Sequence, residues 1–203
     1  MSQDEDLQDI KVILVGEPGT GKTSLINVAI GAKFTTDTSS TLISTFVQKK
    51  IIKNQQEYIL NIWDTAGQEK FRAMTKIFIK NAKIVIFVYS INNKDSFKGL
   101  KEYWFNTIKE SLGNEPILGI VGNKSDLFLE EEVKEDDASQ FATEHNIDFK
   151  LVSAKEDPEG FVVFIENLVD EYLKKNGVVV NKRNTININF NDPNVINKKK
   201  KCC

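Results

Sequence analysis

Gly16-Glu17-Pro18-Gly19-Thr20-Gly21-Lys22-Thr23 restricts the fold of this chain more than any other stretch, because it fits the pattern GxxxxGK[ST]. It stands between an apolar run, Ile10 to Val15, and a stretch with helical periodicity, Lys22 to Ile30. That strand–loop–helix setting is what the pattern's mechanism requires. Glycines remove the Cβ atoms that would hold backbone N–H groups away from phosphate oxygens. The helix N-terminus adds the positive end of its dipole. The lysine, Lys22, is placed to reach the β- and γ-phosphates, and the Thr23 hydroxyl to ligate Mg²⁺. The pattern therefore predicts a nucleoside triphosphate but does not choose between ATP and GTP.

The rest of the chain alternates short apolar runs with amphipathic stretches. Phe46 to Ile52 and Glu57 to Trp63 read as two strands joined by Lys53-Asn54-Gln55-Gln56, an antiparallel hairpin. Ile84 to Tyr89, Ile117 to Val121 and Phe149 to Val152 read as three more strands. Helices are expected over about Ser96 to Leu112, Lys134 to His145, and Pro158 to Lys175, the last opened by Asp157-Pro158. Buried strands separated by helices predict an α/β fold: a three-layer arrangement with a six-stranded, mostly parallel sheet, one antiparallel strand, and helices on both faces. No internal repeat is present. Three regions follow: an acidic N-terminal extension, 1–9; a domain, 10–176; and a flexible Asn-rich tail, 177–203, in which Thr185 to Phe190 alternates like a strand and reads either as linker or as a segment that docks on the domain or on a partner.

Composition excludes several chemistries. His145 is the only histidine, so a multi-histidine metal site is ruled out and a His-dependent triad has a single candidate. The only cysteines are Cys202 and Cys203, which rules out a disulfide framework within the domain. The longest apolar run, Ile84 to Tyr89, is far short of the roughly 18 residues of a spanning helix. The start, MSQDEDLQD, is acidic and is not expected to be a signal peptide. The chain holds 27 basic and 29 acidic residues, but unevenly. Residues 177–203 carry Lys182, Arg183 and Lys198 to Lys201 against the single acid Asp192. An acidic body argues against nucleic-acid binding, and a basic tail argues for an anionic surface.

Two later motifs choose the nucleotide. Trp63-Asp64-Thr65-Ala66-Gly67-Gln68-Glu69 follows a strand, where Asp64 can hold Mg²⁺ through water, Gly67 can offer an N–H to the γ-phosphate, and Gln68 can orient a water. Asn123-Lys124-Ser125-Asp126 also follows a strand. A carboxylate there can accept two hydrogen bonds from the N1–H and N2 amine of guanine. With adenine Asp126 would stay unpaired, which argues against a P-loop ATPase. Ser153-Ala154-Lys155 completes the base pocket.

With GEPGTGKT, WDTAGQE, NKSD and SAK in this order over about residues 10–176, the chain resembles the Ras superfamily of small GTPases. It is most similar to the Rab family, through WDTAGQEKFRAMT, Tyr89-Ser90-Ile91-Asn92 with Ser96-Phe97 and Trp104, and the Cys-Cys end. The resemblance implies a GTP/GDP switch, a slow GTPase regulating vesicle trafficking with Mg²⁺ as cofactor. Gln68 and Lys22 would be catalytic. Glu17, Gly19, Thr20, Gly21, Lys22, Thr23, Ser24, Phe34, Thr41, Gly67, Asn123, Lys124, Asp126, Ser153, Ala154 and Lys155 would bind the nucleotide. Thr23, Thr41 and Asp64 would serve the metal. Phe46, Trp63 and Phe78 correspond to an aromatic cluster by which the family displays its state, although ordinary core packing explains them equally. The implied partners are a guanine-nucleotide exchange factor, a GTPase-activating protein, effectors, a GDP-dissociation inhibitor and the prenylation machinery. Lipid on Cys202 and Cys203 would hold the protein on the cytoplasmic face of endomembranes, cycling with the cytosol.

The chain also departs from the family. Leu42-Ile43-Ser44-Thr45-Phe46 replaces the usual Ile-Gly-Val-Asp-Phe, and Lys76 to Ala82 lacks the usual tyrosines and Arg-Gly. Pro18 removes an N–H from the phosphate loop. Arg72 follows Gln68 but reads as a surface switch residue, so an activating protein in trans is implied. The alternative is a GTP-holding scaffold with very weak hydrolysis that recruits effectors. A soluble signalling or nuclear-transport GTPase fits the Cys-Cys end less well.

Overall fold

The apolar runs become the strands of one sheet. The structure is a computed structural model that describes residues 8–35, 45–65, 77–113, 115–179 and 186–187. Strands β1 (Asp9–Val15), β2 (Thr45–Lys53), β3 (Gln56–Asp64), β4 (Ile84–Ser90), β5 (Ile117–Asn123) and β6 (Asp148–Leu151) lie in the order β6-β5-β4-β1-β3-β2. β1 runs parallel to β3 and β4, β4 to β5, and β5 to β6, whereas β2 is antiparallel to β3. These are the six strands and the one antiparallel strand that the sequence predicts. A two-residue strand, β7 (Ile186–Asn187), adds a seventh on the outer side of β2, opposite Ile51 and Ile52. It falls in Thr185 to Phe190, the part of the tail whose strand-like alternation allows a segment docked on the domain, and there it pairs with β2. The rest of that tail beyond Val179, and most of the acidic extension, lie outside the described residues.

Helices cover both faces. On one side α1 (Lys22–Ala29) and α5 (Pro158–Lys175) bring Leu25, Ile26, Phe161 and Leu168 against Ile10, Val12 and Leu14. On the other side lie α2 (Lys94–Gly99), α3 (Phe105–Leu112) and α4 (Glu135–Glu144). With the turn Leu100–Trp104 between α2 and α3, they bring Phe97, Trp104, Phe105 and Ala138 against Ile13, Val15 and Phe87. β1 thus sends alternate side chains into two apolar layers, as strand geometry dictates. β4 is buried at every position, which explains its unbroken apolar sequence. Each fully buried phenylalanine, such as Phe87 or Phe161, contributes roughly 1.5–3 kcal/mol.

Local chemistry sets the helix boundaries. The Asn93 side chain accepts the Ser96 N–H at 3.0 Å and opens α2, and Asp157 accepts the Gly160 N–H at 2.9 Å ahead of Pro158. The predicted helix from Ser96 to Leu112 is interrupted by a π-helical turn, Leu100–Trp104, that periodicity alone does not reveal. In the β2–β3 hairpin Lys53 faces Gln56, and Asn54 and Gln55 both have positive φ, 52° and 66°. This is the two-residue turn whose twist matches paired strands. Lys53 itself is buried against α5, 3.0 Å from Asp170 and 3.6 Å from Glu166.

Because the strands flanking β1 on both sides are parallel to it, the loops after β1, β3, β4, β5 and β6 emerge at one edge of the sheet. In open α/β sheets that edge is where ligands bind.

Candidate nucleotide site

The loop Gly16–Gly21 leaves β1 and turns directly into α1. Gly16 passes so close to β4 that a Cβ there would lie 2.1 Å from the Val88 carbonyl oxygen. Gly21, with φ 88°, caps α1, and a Cβ there would lie 2.3 Å from Asn123 Nδ2. Lys22 follows, only 5% exposed. Its Nζ donates to the Gly16 and Glu17 carbonyls, each at 2.9 Å, and Thr20 Oγ1 donates to the same Glu17 carbonyl at 3.0 Å. Burial lowers the Lys22 pKa to about 8, while the charges of Asp64 and Glu17 pull it back up. The loop therefore holds a concealed cation whose charge is costly until an anion arrives.

At the end of β3, Asp64 Oδ2 accepts the Thr23 hydroxyl at 2.7 Å. The two residues are 41 apart in sequence and meet because β3 lies beside β1. A hydroxyl and a carboxylate are hard oxygen donors, a set that suits Mg²⁺, which takes one or two protein groups and completes its shell with phosphate and water. Thr65, next in the chain, is fully buried and donates its hydroxyl to the Leu14 carbonyl at 2.7 Å. It pins the loop after β3 to β1, a role that the motif did not announce.

The residues expected to face the base lie at the ends of β5 and β6. Asn123 Nδ2 donates to the Thr20 carbonyl at 2.8 Å, and Asn123 Oδ1 accepts the Ala154 N–H at 3.2 Å. One buried amide thus ties the phosphate loop to the loop after β6. Lys124 has φ 64° and half-buries its side chain, and burial lowers its pKa against the opposing pull of Asp126. Asp126 Oδ1 accepts the Ser153 hydroxyl at 2.6 Å, and Lys155 Nζ stands 3.9 Å from Oδ2. Ser153 Oγ in turn accepts the N–H groups of Lys155 and Glu156, at 3.2 and 2.9 Å. The carboxylate is thereby oriented by a hydroxyl that is itself fixed.

The remaining expected site residues are placed as follows. Gly19 lies in the loop and Ser24 in the first turn of α1. Phe34 is partly buried against the core layer that includes α1 and α5. Thr41, Gly67, Gln68, Arg72, Cys202 and Cys203 lie outside the described residues. Phe46, Trp63 and Phe78 do come together: Phe46 stacks on Trp63 at 5.0 Å and Trp63 meets Phe78 at 5.6 Å. Phe46 is 50% exposed, so the group forms a surface patch at the rim of the core. His145, the one histidine, is exposed and rests its ring against Phe105 and Phe141, with centroids 4.4 and 4.6 Å away. Sequence reasoning missed Thr65 and the side chain of Glu17, whose Oε1 accepts the Trp104 indole N–H at 3.1 Å.

Comparison with known proteins agrees with this geometry. The sequence profile of the Ras family matches residues 11–174. The chain belongs to the Ras family. It is a GTPase of the Rab type, similar to the Ras-related protein Rab-21 of Homo sapiens, 37% identical over 175 residues, 82% of this chain and 77% of that protein. It is also similar to the Ras-related protein SEC4 of Saccharomyces cerevisiae, 33% identical over 199 residues, 96% of this chain and 91% of that one. The Ras-like GTP-binding protein RYL2 of Yarrowia lipolytica is 34% identical over 173 residues, 80% of this chain and 82% of its own length. The four motifs of this Ras-family chain all fall at the strand ends of one sheet edge, apart from the residues not described. Among the described residues no helix is long and apolar enough to cross a membrane.

Proposed function

We propose that this chain is a GTP/GDP switch of vesicle trafficking that reads guanine through Asp126 and holds the phosphates with its Gly16–Thr23 loop. The observation that carries the reading is the Asn123 amide, which joins the phosphate loop to the loop after β6 through Thr20 and Ala154. A pocket built this way recognises base and phosphate together. Asp126 accepts from the guanine edge, with Lys124 and Ala154 flanking it and Phe34 against the base. Lys22 turns its ammonium from the loop carbonyls to the β- and γ-phosphates. Thr23 and Asp64, with Thr41, would hold Mg²⁺, which when bound neutralises phosphate charge. Gln68 orients the attacking water, and loss of the γ-phosphate releases Thr41 and the Gly67 region.

Hydrolysis is the test. Phosphate release from GTP-loaded native protein is expected to be slow, on the order of 10⁻⁴ to 10⁻² s⁻¹. Gln68→Leu should slow it by about tenfold while leaving GTP affinity unchanged, because the side chain acts on the water and not on the bound ground state. An unchanged rate would remove Gln68 from the mechanism. Family membership does not favour the alternative of a scaffold that barely hydrolyses GTP. That alternative would show as a native rate already as low as that of the leucine variant.

The anchoring belongs to the same proposal. Geranylgeranyl groups on Cys202 and Cys203 would give stable binding where one chain gives marginal binding, and Lys198 to Lys201 would add up to about 1 kcal/mol each near an anionic leaflet. Exchange factor, activating protein, effectors, GDP-dissociation inhibitor and prenylation machinery are the partners this cycle requires. Replacing both cysteines with serine is expected to move the protein from the membrane pellet to the supernatant of fractionated cells without loss of GTP binding. A double-serine variant that pellets like the native chain would place the anchor elsewhere.

A further inference from the structure

We propose that Glu17 is a positioning residue of the nucleotide site: its carboxylate, locked by Trp104 and Gly99 across the π turn, sets how fast bound nucleotide leaves. The inference rests on reading the Gly16–Thr23 loop as the guanine-nucleotide site and names a control on it.

The lock has two sides. Trp104 Nε1 donates to Glu17 Oε1 at 3.1 Å from a side chain that is completely buried and set edge-on against Tyr103. Gly99 presses on the same carboxylate, because a Cβ there would lie 2.7 Å from Oε1 and 2.8 Å from Cγ. Gly99 and Trp104 are five residues apart. In a regular α-helix that spacing separates two side chains by roughly 140° around the axis. The turn Leu100–Trp104 is π-helical, with the Phe105 N–H bonded to the Leu100 carbonyl. Its wider winding brings residues five apart toward one face. The π turn thus makes the slot, and such turns recur at functional sites.

The other end of Glu17 is the phosphate loop itself. Its backbone carbonyl accepts both Lys22 Nζ and Thr20 Oγ1. Pro18 narrows the backbone freedom of Glu17 further, since a residue before proline avoids the helical region. A single residue therefore ties the helix layer, through its side chain, to the lysine that meets the phosphates, through its carbonyl. A charged acceptor makes the stronger kind of hydrogen bond, so losing it frees the loop appreciably.

The experiment loads the full chain with a fluorescent GDP analogue in Mg²⁺ and chases it with excess GDP. Glu17→Ala, Trp104→Phe and Gly99→Ala are each expected to speed release by about tenfold, the size of one charge-assisted bond. The double variant Glu17→Ala/Trp104→Phe should be no faster than the quicker single variant, because either change breaks the same bond. Glu17→Gln keeps an acceptor for the indole and should recover most of the difference. Gly99 has helical φ and ψ, −60° and −36°, so alanine there favours the helix while pushing the carboxylate out. Faster release from a variant that melts no lower than the native chain separates positioning from general weakening. Native release rates in Glu17→Ala and Gly99→Ala, or a double variant whose effects multiply, would overturn the inference. A native chain that fails to retain GDP would instead overturn the reading of the site on which it rests.

Discussion

Asp126→Asn is expected to lower GTP affinity by about 10³-fold or more and to shift preference toward xanthine nucleotide. The carboxylate can only accept, and guanine offers two N–H groups to it. The amide places a donor against one of them and leaves buried groups unpaired, which sites built on hydrogen bonds penalise heavily. The structure also says what should not change. Asp126 Oδ1 accepts the Ser153 hydroxyl at 2.6 Å, and an amide oxygen can do the same, so the loop after β6 should keep its form. The Lys155 ammonium, 3.9 Å from Oδ2, is half exposed, so losing that pair matters little. Competition of GDP, GTP and xanthosine triphosphate for the native and variant proteins checks this. Undiminished GTP binding by the variant would show that another group reads the base.

Nucleotide affinity is expected to fall as pH rises above about 8, approaching tenfold per pH unit, because of Lys22. In the nucleotide-free protein burial holds this lysine near 8. Below that pH it is already charged, and affinity is flat. Above it the free protein has lost the proton, and the phosphates, which favour the ammonium, must draw one in on binding. The slope ends where the pKa of the bound state is reached. Stability of the free protein runs the other way. Its folded-state pKa lies below the unfolded value near 10.4, so the unfolded chain binds more protons between them. The penalty for burying the charge, about 3 kcal/mol for a shift of this size, is fully present below pH 8. It is relieved as pH climbs toward the unfolded value. Calorimetric titration of GDP in buffers of different ionisation heat would register the proton taken up above pH 8. Lys22→Arg, charged throughout, should bind more weakly but lose the slope. A native slope that persists in the arginine variant would assign the proton to another group.

Much of the site was legible because its requirements are local. A glycine where β1 meets the Val88 carbonyl, a lysine and a hydroxyl at the start of α1, and an acid after an apolar strand each follow from backbone geometry and charge at one place. Those constraints hold before anything folds, so pattern and spacing carry them. The run of β4 and the start of α5 followed for the same reason, since β4 must be apolar throughout and Asp157-Pro158 must open a helix. The six-stranded sheet could be read from the alternation of runs alone.

Partnership is what the sequence left open. Thr23 meets Asp64 across 41 residues, Asn123 meets Thr20 across 103, and Trp104 meets Glu17 across 87. These distances close only when parallel strands bring their loops to one edge, and no local propensity encodes which side chains then touch. The π turn is another case: the apolar spacing of Phe97, Leu100, Trp104 and Ile108 suits an unbroken helix, and only packing shows the extra width that turns Gly99 and Trp104 toward Glu17. Core and surface readings of Phe46, Trp63 and Phe78 were equal in the sequence because aromatics satisfy both. In the fold Trp63 and Phe78 pack against the core while Phe46, stacked on Trp63, stays half exposed. Residue type along the chain sets the chemistry available at each strand end; folding selects which of those groups hold one another, because hydrogen bonds and contacts act through space at a few ångströms and are indifferent to separation along the chain.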